Sequence, residues 1–539
     1  MKVSPLPDQG DPRSLVRHGS TLSLLTLVSR VLGLVREMTK AALLGTSALS
    51  DAFSVAFLIP NLFRRLFAEG SISVAFIPTF KEYLLENDGD KIREFLSAIC
   101  TFLTFLVTLA VMTGILLTPL LVPIFGIEAL DETILLTRLM FPFLAFISLA
   151  AFFQGILNSV RVFAPSGLAP ILLNLVTILC AYGLKDFTAN PARAMAVGIL
   201  LGGFLEAAIQ FPFVLKKGFR FFFTGLKRAI QNPGTQAVLR LIGPTIIGMA
   251  AYQLNDLVST ALAGNAGEGV VSSLQYSLRL QELILGIFAV SIGTVLLPDL
   301  AEDAKTARWE SFNQRLLSAM DIIALITIPV TFFSLAQGEL LIRLLFQTRS
   351  FDEESVRLTL AAFTFHMPGL FFIALNRILA PAFYAQSNSK SPTLAGLLSF
   401  GANMILAAIL VRPLRGSGIA LSLSLAGVVN TALLLFFLRR NSKGPGLGLA
   451  PGQGPALRPA LFYALKLVLF SAIAVLPVRW VSPRLAVLFS GHGRFAAQGI
   501  PLAASLVLFM AVGIFLLVIT GDKQVRLIAR MFRKAPRRF

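Results

Sequence analysis

The residues of this sequence most able to do chemistry are ionisable side chains set inside apolar runs. The run that begins near residue 20 contains SRVLGLVREMTK, with Arg30, Arg36, Glu37 and Lys40. The next contains DAFSVAFLIPNLFRRLFAEG, with Asp51 at its start, Arg64 and Arg65 in its middle and Glu69 one turn later. A third contains YSLRLQELILG, in which Arg279 and Glu282 stand at i, i+3. An arginine at the centre of a membrane helix costs about 2.5–3.5 kcal/mol on insertion scales, so it usually marks a pairing partner or a wet cavity. A guanidinium grips phosphate through two parallel N–H bonds that an ammonium cannot reproduce. Apolar walls studded with arginine therefore suit a phosphate headgroup carried on a lipid tail. Asp51, Glu37, Glu69 and Glu282 are the carboxylates expected to pair with or gate these arginines when the ligand is absent.

Arg30, Gly33 and Glu37 share one helix face, whereas Arg36 lies about 120° around the helix from Arg30. Long side chains allow both to reach one cavity. Pro60 lacks a backbone donor and is expected to open the helix near Arg64. Other chemistries find little support. His18, His366 and His492 are far apart, and Cys100 and Cys180 sit in separate apolar runs, so neither a metal cluster nor a disulfide framework is expected. No loop carries an acidic metal-binding pair or a histidine constellation, and none is longer than about 20 residues. The expectation is a transporter without a cofactor, not an enzyme.

The elements that must position these residues are membrane helices. Of 539 residues 55% are hydrophobic and only 14% charged, and the mean hydropathy is +0.78. A soluble domain carries about 25% charged residues. Continuous apolar runs, without the alternation of a barrel strand, predict an all-α integral membrane protein of about fourteen transmembrane helices, from 20–46 to 496–520. Residues 1–19 are polar and lack a cleavage site, which reads as a cytoplasmic tail and not a signal peptide.

The net charge of +19 lies mainly in alternate loops, such as Lys216, Lys217, Arg220, Lys227 and Arg228, so it sets orientation and does not imply nucleic acid. Both termini are then cytoplasmic. Arg412, Arg415, Arg479, Arg484 and Arg494 run against this bias near the last spans.

An internal echo divides the chain. EGSISVAFIPTFKE at 69–82 and AVSIGTVLLPDLAE at 289–302 share Ser71/Ser291, Ile72/Ile292, Pro78/Pro298 and Glu82/Glu302, and the same offset pairs Gly198-Ile199 with Gly418-Ile419. The expected plan is two six-helix parallel repeats, 20–216 and 236–440, joined by a cytoplasmic linker at 217–235 and enclosing a central basic cavity. A Gly/Pro-rich linker at 441–459 leads to two appended helices in 460–520 and a basic cytoplasmic tail, 521–539.

The stretch SRVLGLVRE…SDAFSVAFLIPNLFRRLFAEGSISVAFIPTFKEY closely resembles the N-terminal signature of the lipid II flippases called MurJ or MviN, and the likeness continues through YSLRLQELILGIFAVSIGTVLLP to the last two helices. That family belongs to the superfamily of multidrug, oligosaccharidyl-lipid and polysaccharide exporters. The resemblance implies a bacterial inner-membrane protein that moves the peptidoglycan precursor lipid II outward by alternating access. It places the family's cavity arginines at Arg30, Arg36, Arg64 and Arg279, and its span-two acid at Asp51. The appended helices would make a groove for the lipid tail. Expected partners are lipid II, membrane lipids and, as a further expectation, the cell-wall synthesis machinery.

Some members carry a sodium site. Its positions here hold Ser259, Asn403, Ala407 and Leu423, with Asp256 three residues early, so the site looks degraded. The alternative reading is an exporter of another lipid-linked oligosaccharide. A cationic-drug exporter would favour acidic cavity residues.

Overall fold

The computed structural model describes residues 12–65, 75–441, 457–522 and 524–526. Among these every regular element is helical. The chain divides into two compact units, Met1–Ser272 and Ser273–Phe539.

The first unit holds α1 (Pro12–Leu44), α2 (Ala48–Arg64), α3 (Ile77–Glu86), α4 (Gly89–Leu121), α5 (Leu130–Met140), α6 (Phe143–Ser159), α7 (Ala164–Leu184), α8 (Pro191–Lys216), the short α9 (Leu226–Gln231) and α10 (Pro233–Gly264). Helix α1 thus begins inside the segment expected to be a tail. Polar caps start several helices: Asp88 accepts from the Asp90 and Lys91 N–H groups, Asn190 from Arg193, and Asn232 from Gly234 and Thr235. Proline sets one break, because Pro142 follows Phe141 between α5 and α6. The unit's core is aromatic. Phe76 stacks on Phe80 and Phe95 at 5.3 and 5.8 Å between ring centroids, and Tyr83 stacks on Phe95 at 4.5 Å. The loop after α8 is pinned to α4, where Ser97 Oγ and Thr101 Oγ1 accept from the Phe222 and Thr224 N–H groups.

Helix α10, which the repeat pattern puts at the head of the second half, packs within the first unit against α2, α3, α4 and α9. Gly264 permits this, since a Cβ there would run into the Phe125 carbonyl. Arg65, at the C-terminal end of α2, also reaches Asp256 on α10 at 3.1 Å.

The second unit starts within α11 (Val270–Lys305) and continues with α12 (Trp309–Phe346), α13 (Glu353–His366), α14 (Leu370–Ala385), α15 (Lys390–Leu414), α16 (Gly416–Asn441), α17 (Leu457–Leu488) and α18 (Arg494–Ile519). Met367–Gly369, with Pro368 at its centre, breaks α13 from α14. Asp352 caps α13 by accepting from the Ser355 N–H at 2.9 Å, which holds its carboxyl below the usual carboxylate range. The last two helices pack on α12. Leu467 and Leu517 cluster with Ala324 and Ile328, and Ser482 donates to Gln337 at 2.9 Å.

Among the described residues ten helical segments are long and apolar enough to cross a membrane. The other long helices, α1, α10 and α11, and the α2–α3 pair carry most of the charged side chains singled out above.

Small residues let neighbouring helices approach closely where apolar burial supplies no drive between them. A Cβ at Gly198 would lie 2.8 Å from Thr177 Cα, and one at Gly202 would lie 2.8 Å from Leu173 Cδ1 and 3.0 Å from its Cα. In the second unit Gly418 lies against the Leu410 carbonyl in the same manner. Gly198→Val is expected to lower stability by about 1–3 kcal/mol, the usual penalty of overpacking. Thermal unfolding in detergent checks this. Gly183→Ala, which meets nothing within 4 Å, should leave the midpoint unchanged or higher.

Candidate functional site

In the first unit the singled-out charges gather on α1, α2 and α10. Arg30 is half-buried on α1, next to Ser29, whose carbonyl accepts from Asn174 Nδ2 of α7 at 3.2 Å. Arg36 pairs with Glu37 at 3.0 Å and lies over the Phe57 ring of α2, 5.8 Å from its centroid. Arg64 donates from Nε to Asn61 Oδ1 at 2.8 Å. That bond orients its guanidinium at the end of α2, one turn beyond Pro60. Arg65 holds Asp256. Glu69 lies outside the described residues.

Asp51 makes its contacts with main-chain groups. It is only 2% exposed, and among the described residues no arginine takes its carboxylate. Its two oxygens accept from the backbone N–H groups of Gly269 and Ser272, each at 2.8 Å. These groups stand at the start of α11, where helical donors have no partner within their own helix. The exchange runs both ways, because Glu268 Oε1 accepts from the Ala48 N–H at the start of α2 at 2.8 Å. Each helix start is capped by an acid from beside the other. Gly269 is needed for this approach: its φ is +75°, and a Cβ would strike the Thr46 carbonyl. Lys40, buried on α1, donates to Ser54 Oγ at 2.6 Å and supplies positive charge near Asp51. Asp51→Ala is expected to cost about 1–2 kcal/mol of stability as a lost cap. It should cost more than Glu268→Ala, whose bond is exposed. The two thermal midpoints, compared in one detergent, check the order.

In the second unit Arg279 lies 3.5 Å from Glu282, with their side chains 33% and 55% exposed. The opposite face of α11 is buried and polar. Ser277 Oγ lies 2.6 Å from His366 Nδ1, and Gln281 Nε2 donates to the His366 carbonyl at 2.5 Å.

Of the positions that the resemblance aligns with a sodium site, Ser259 carries a hydroxyl. Ala407 and Leu423 have no side-chain oxygen, and Asn403 Oδ1 accepts from Ser422 at 3.0 Å. The nearby Asp256 carboxylate is engaged by Arg65.

Sequence reasoning gave no role to Lys40, Arg65 or the buried Glu206. Lys40 shares a face with Glu37 at i, i+3, and Glu206 is a lone acid in the long apolar stretch 194–215. Those were the available signals.

A family model described as lipid II flippase MurJ matches residues 40–490. A probable lipid II flippase MurJ of Treponema pallidum is 46% identical over 517 residues, which is 95% of this chain and 97% of that one. Among solved structures, lipid II flippase MurJ in an inward closed conformation superposes with a TM-score of 0.75 at 24% identity, covering 94% of this chain and 99% of that one. An inward-facing multidrug resistance transporter of the MATE family superposes with a TM-score of 0.65 at 14% identity, over 76% and 93% of the two chains. These structural likenesses concern the fold. With the arrangement of α1 to α18 and the match along most of its length, the chain belongs to the MurJ family of lipid II flippases.

Proposed function

We propose that this protein flips lipid II from the cytoplasmic to the periplasmic leaflet by alternating access, with Arg30, Arg36, Arg64 and Arg279 binding the diphosphate of the headgroup. The reading rests on one observation above all, the 46% identity over 95% of the chain to the probable lipid II flippase MurJ of Treponema pallidum. Physical chemistry agrees with it. A diphosphate leaving water needs fixed cationic donors, and guanidinium groups on otherwise apolar helices supply them. Glu37 and Glu282 beside Arg36 and Arg279 offer counter-charges for the empty state.

Fourteen spans is the reading we adopt, and the ten apolar segments, with α1, α10, α11 and the stretch from α2 to α3 counted beside them, support it. An even count and the basic loops support the further reading that both termini of this multi-pass inner-membrane protein are cytoplasmic. Two features support a pair of related six-helix sets followed by α17 and α18. Each unit has a helix broken at a proline, Pro142 or Pro368, and Gly198 and Gly418 make matching close approaches to the preceding helix. The prenyl tail would run along α17 and α18. Contact with the cell-wall synthesis machinery is part of the same proposal.

The test is growth rescue when the essential flippase of a host bacterium is depleted, paired with flipping of purified lipid II in proteoliposomes. Rescue with lipid II flipping is expected. Stable membrane insertion with neither result would refute the proposal. Flipping of a different lipid-linked oligosaccharide in its place would favour the alternative exporter.

A further inference from the structure

Helix α11 has two unlike faces. Gln275, Leu278, Arg279, Glu282, Leu283 and Gly286 form its more open stripe, whereas Ser277 and Gln281 are fully buried. At about 100° per residue, Arg279 lies about 180° from the midpoint of Ser277 and Gln281. Both buried residues attach to one place, His366 at the end of α13. Ser277 Oγ meets the imidazole Nδ1 at 2.6 Å, and Gln281 donates to the backbone carbonyl at 2.5 Å.

His366 is itself held from other sides. It is 1% exposed and precedes the Met367–Gly369 break, which interrupts the helical hydrogen-bond ladder. Side chains from other helices take up carbonyls there: Ser424 of α16 donates to Phe365 O at 2.6 Å, and Thr331 of α12 to Met367 O at 3.3 Å. Gly369 lies directly against Ser424, where a Cβ would be only 2.8 Å from the Ser424 Cα. Three helices thus converge on the broken one.

We infer that His366, Ser277 and Gln281 are positioning residues, which lock the rotation of α11 so that Arg279 points away from the packed interior and toward substrate. This rests on the reading of Arg279 as a diphosphate ligand. The physical reason is directionality. Leu274, Leu280 and Leu285 also pack on the buried side, but in a membrane one leucine contact exchanges for another with little loss. Hydrogen bonds weaken steeply with angle and tolerate no such exchange. A turn of one residue would carry the guanidinium into the buried stripe.

The test uses a chain with Cys100 and Cys180 replaced by alanine and single cysteines placed at 279 and 282, or at 280 and 285, labelled with N-ethylmaleimide in proteoliposomes. Fast labelling at the first pair and slow labelling at the second are expected. The contrast should collapse in Gln281→Leu, in His366→Leu and in the double variant. With the native arginine in place, the same variants should raise the half-saturating lipid II concentration about tenfold at unchanged insertion, the worth of one charge-assisted hydrogen bond. His366→Asn, whose amide can replace Nδ1, should preserve both readouts within about twofold. If His366→Leu fails to accumulate, Gln281→Leu and Ser277→Ala carry the comparison with the imidazole intact. An unchanged labelling contrast overturns the inference, as does an Asn variant as defective as the Leu variant. The underlying reading has its own control. Normal flipping by Arg279→Ala would remove Arg279 as a ligand even if the contrast shifts, whereas an inactive Arg279→Ala with an unshifted contrast would keep the ligand and remove the positioning role.

Discussion

Alanine in place of Arg36 is expected to abolish growth rescue while the protein still inserts and stays folded. The same is expected for Arg30→Ala, Arg64→Ala and Arg279→Ala, each with a smaller margin. One lost charge-assisted hydrogen bond to phosphate is worth about 1.5–3 kcal/mol, a fall of about 10- to 100-fold in binding. Arg36 should show the largest effect because Glu37 and Phe57 already hold its guanidinium in place, so little ordering entropy offsets its contribution. Arg64→Lys keeps the charge but loses the planar fork, and partial activity is the expected result. Flipping of lipid II in proteoliposomes, normalised to inserted protein, measures each variant. Normal rates from all four alanine variants would end the basic-site proposal.

The second large effect concerns energy. Flipping is expected to persist when choline replaces sodium and to fall steeply when an ionophore collapses the membrane potential. A potential of 100 mV acts on each charge with about 2.3 kcal/mol. A diphosphate bearing about two negative charges then gains about 4–5 kcal/mol by moving outward from an inside-negative face, a bias of roughly a thousandfold. If the arginines neutralise the headgroup, the same potential draws the empty, positively charged site back inward. Either step makes the cycle voltage-sensitive without an ion ligand. The side chains agree: Ala407 and Leu423 offer no oxygen, and Asp256 is held by Arg65. Loss of flipping on sodium removal at constant potential would overturn this expectation and direct attention to Asp256 and Asn255.

Much of the architecture was legible because apolar runs and their polar punctuation are local. The described elements are all helical and ten of the segments are long and apolar, as the runs predicted, whereas Pro60, expected to open its helix near Arg64, lies inside α2. What escaped notice depends on partners distant in sequence. Asp51 reads as a counter-ion for nearby arginines, yet its oxygens meet main-chain N–H groups from residues 269 and 272. Backbone donors carry no residue signature, so no pattern of side chains announces them. His366 reads as one isolated histidine. Its significance arises only when Ser277 and Gln281, 89 and 85 residues away, close on it. The placement of α10 in the first unit was likewise hidden, because it depends on Gly264 fitting over the Phe125 carbonyl. Arg36 with Glu37 and Arg279 with Glu282 were readable, since each pair is separated by no more than one helical turn.

The reciprocal capping of α2 and α11 has a consequence for biogenesis. Asp51 leaves the ribosome 218 residues ahead of the Gly269 amide that it will meet. At about 5–20 residues per second the interval is roughly 10–40 s. Throughout that time α2 must reside in or beside the translocon with an unsatisfied carboxylate and two arginines. The groups available to quiet the carboxylate are those already synthesised, foremost the ammonium of Lys40 eleven residues upstream. Nascent chains arrested before residue 269 should therefore be prone to slip from the membrane or to be taken by quality-control proteases. Arrest beyond residue 272 should relieve this, making the first turn of α11 the point in translation at which the early helices become committed to the bilayer.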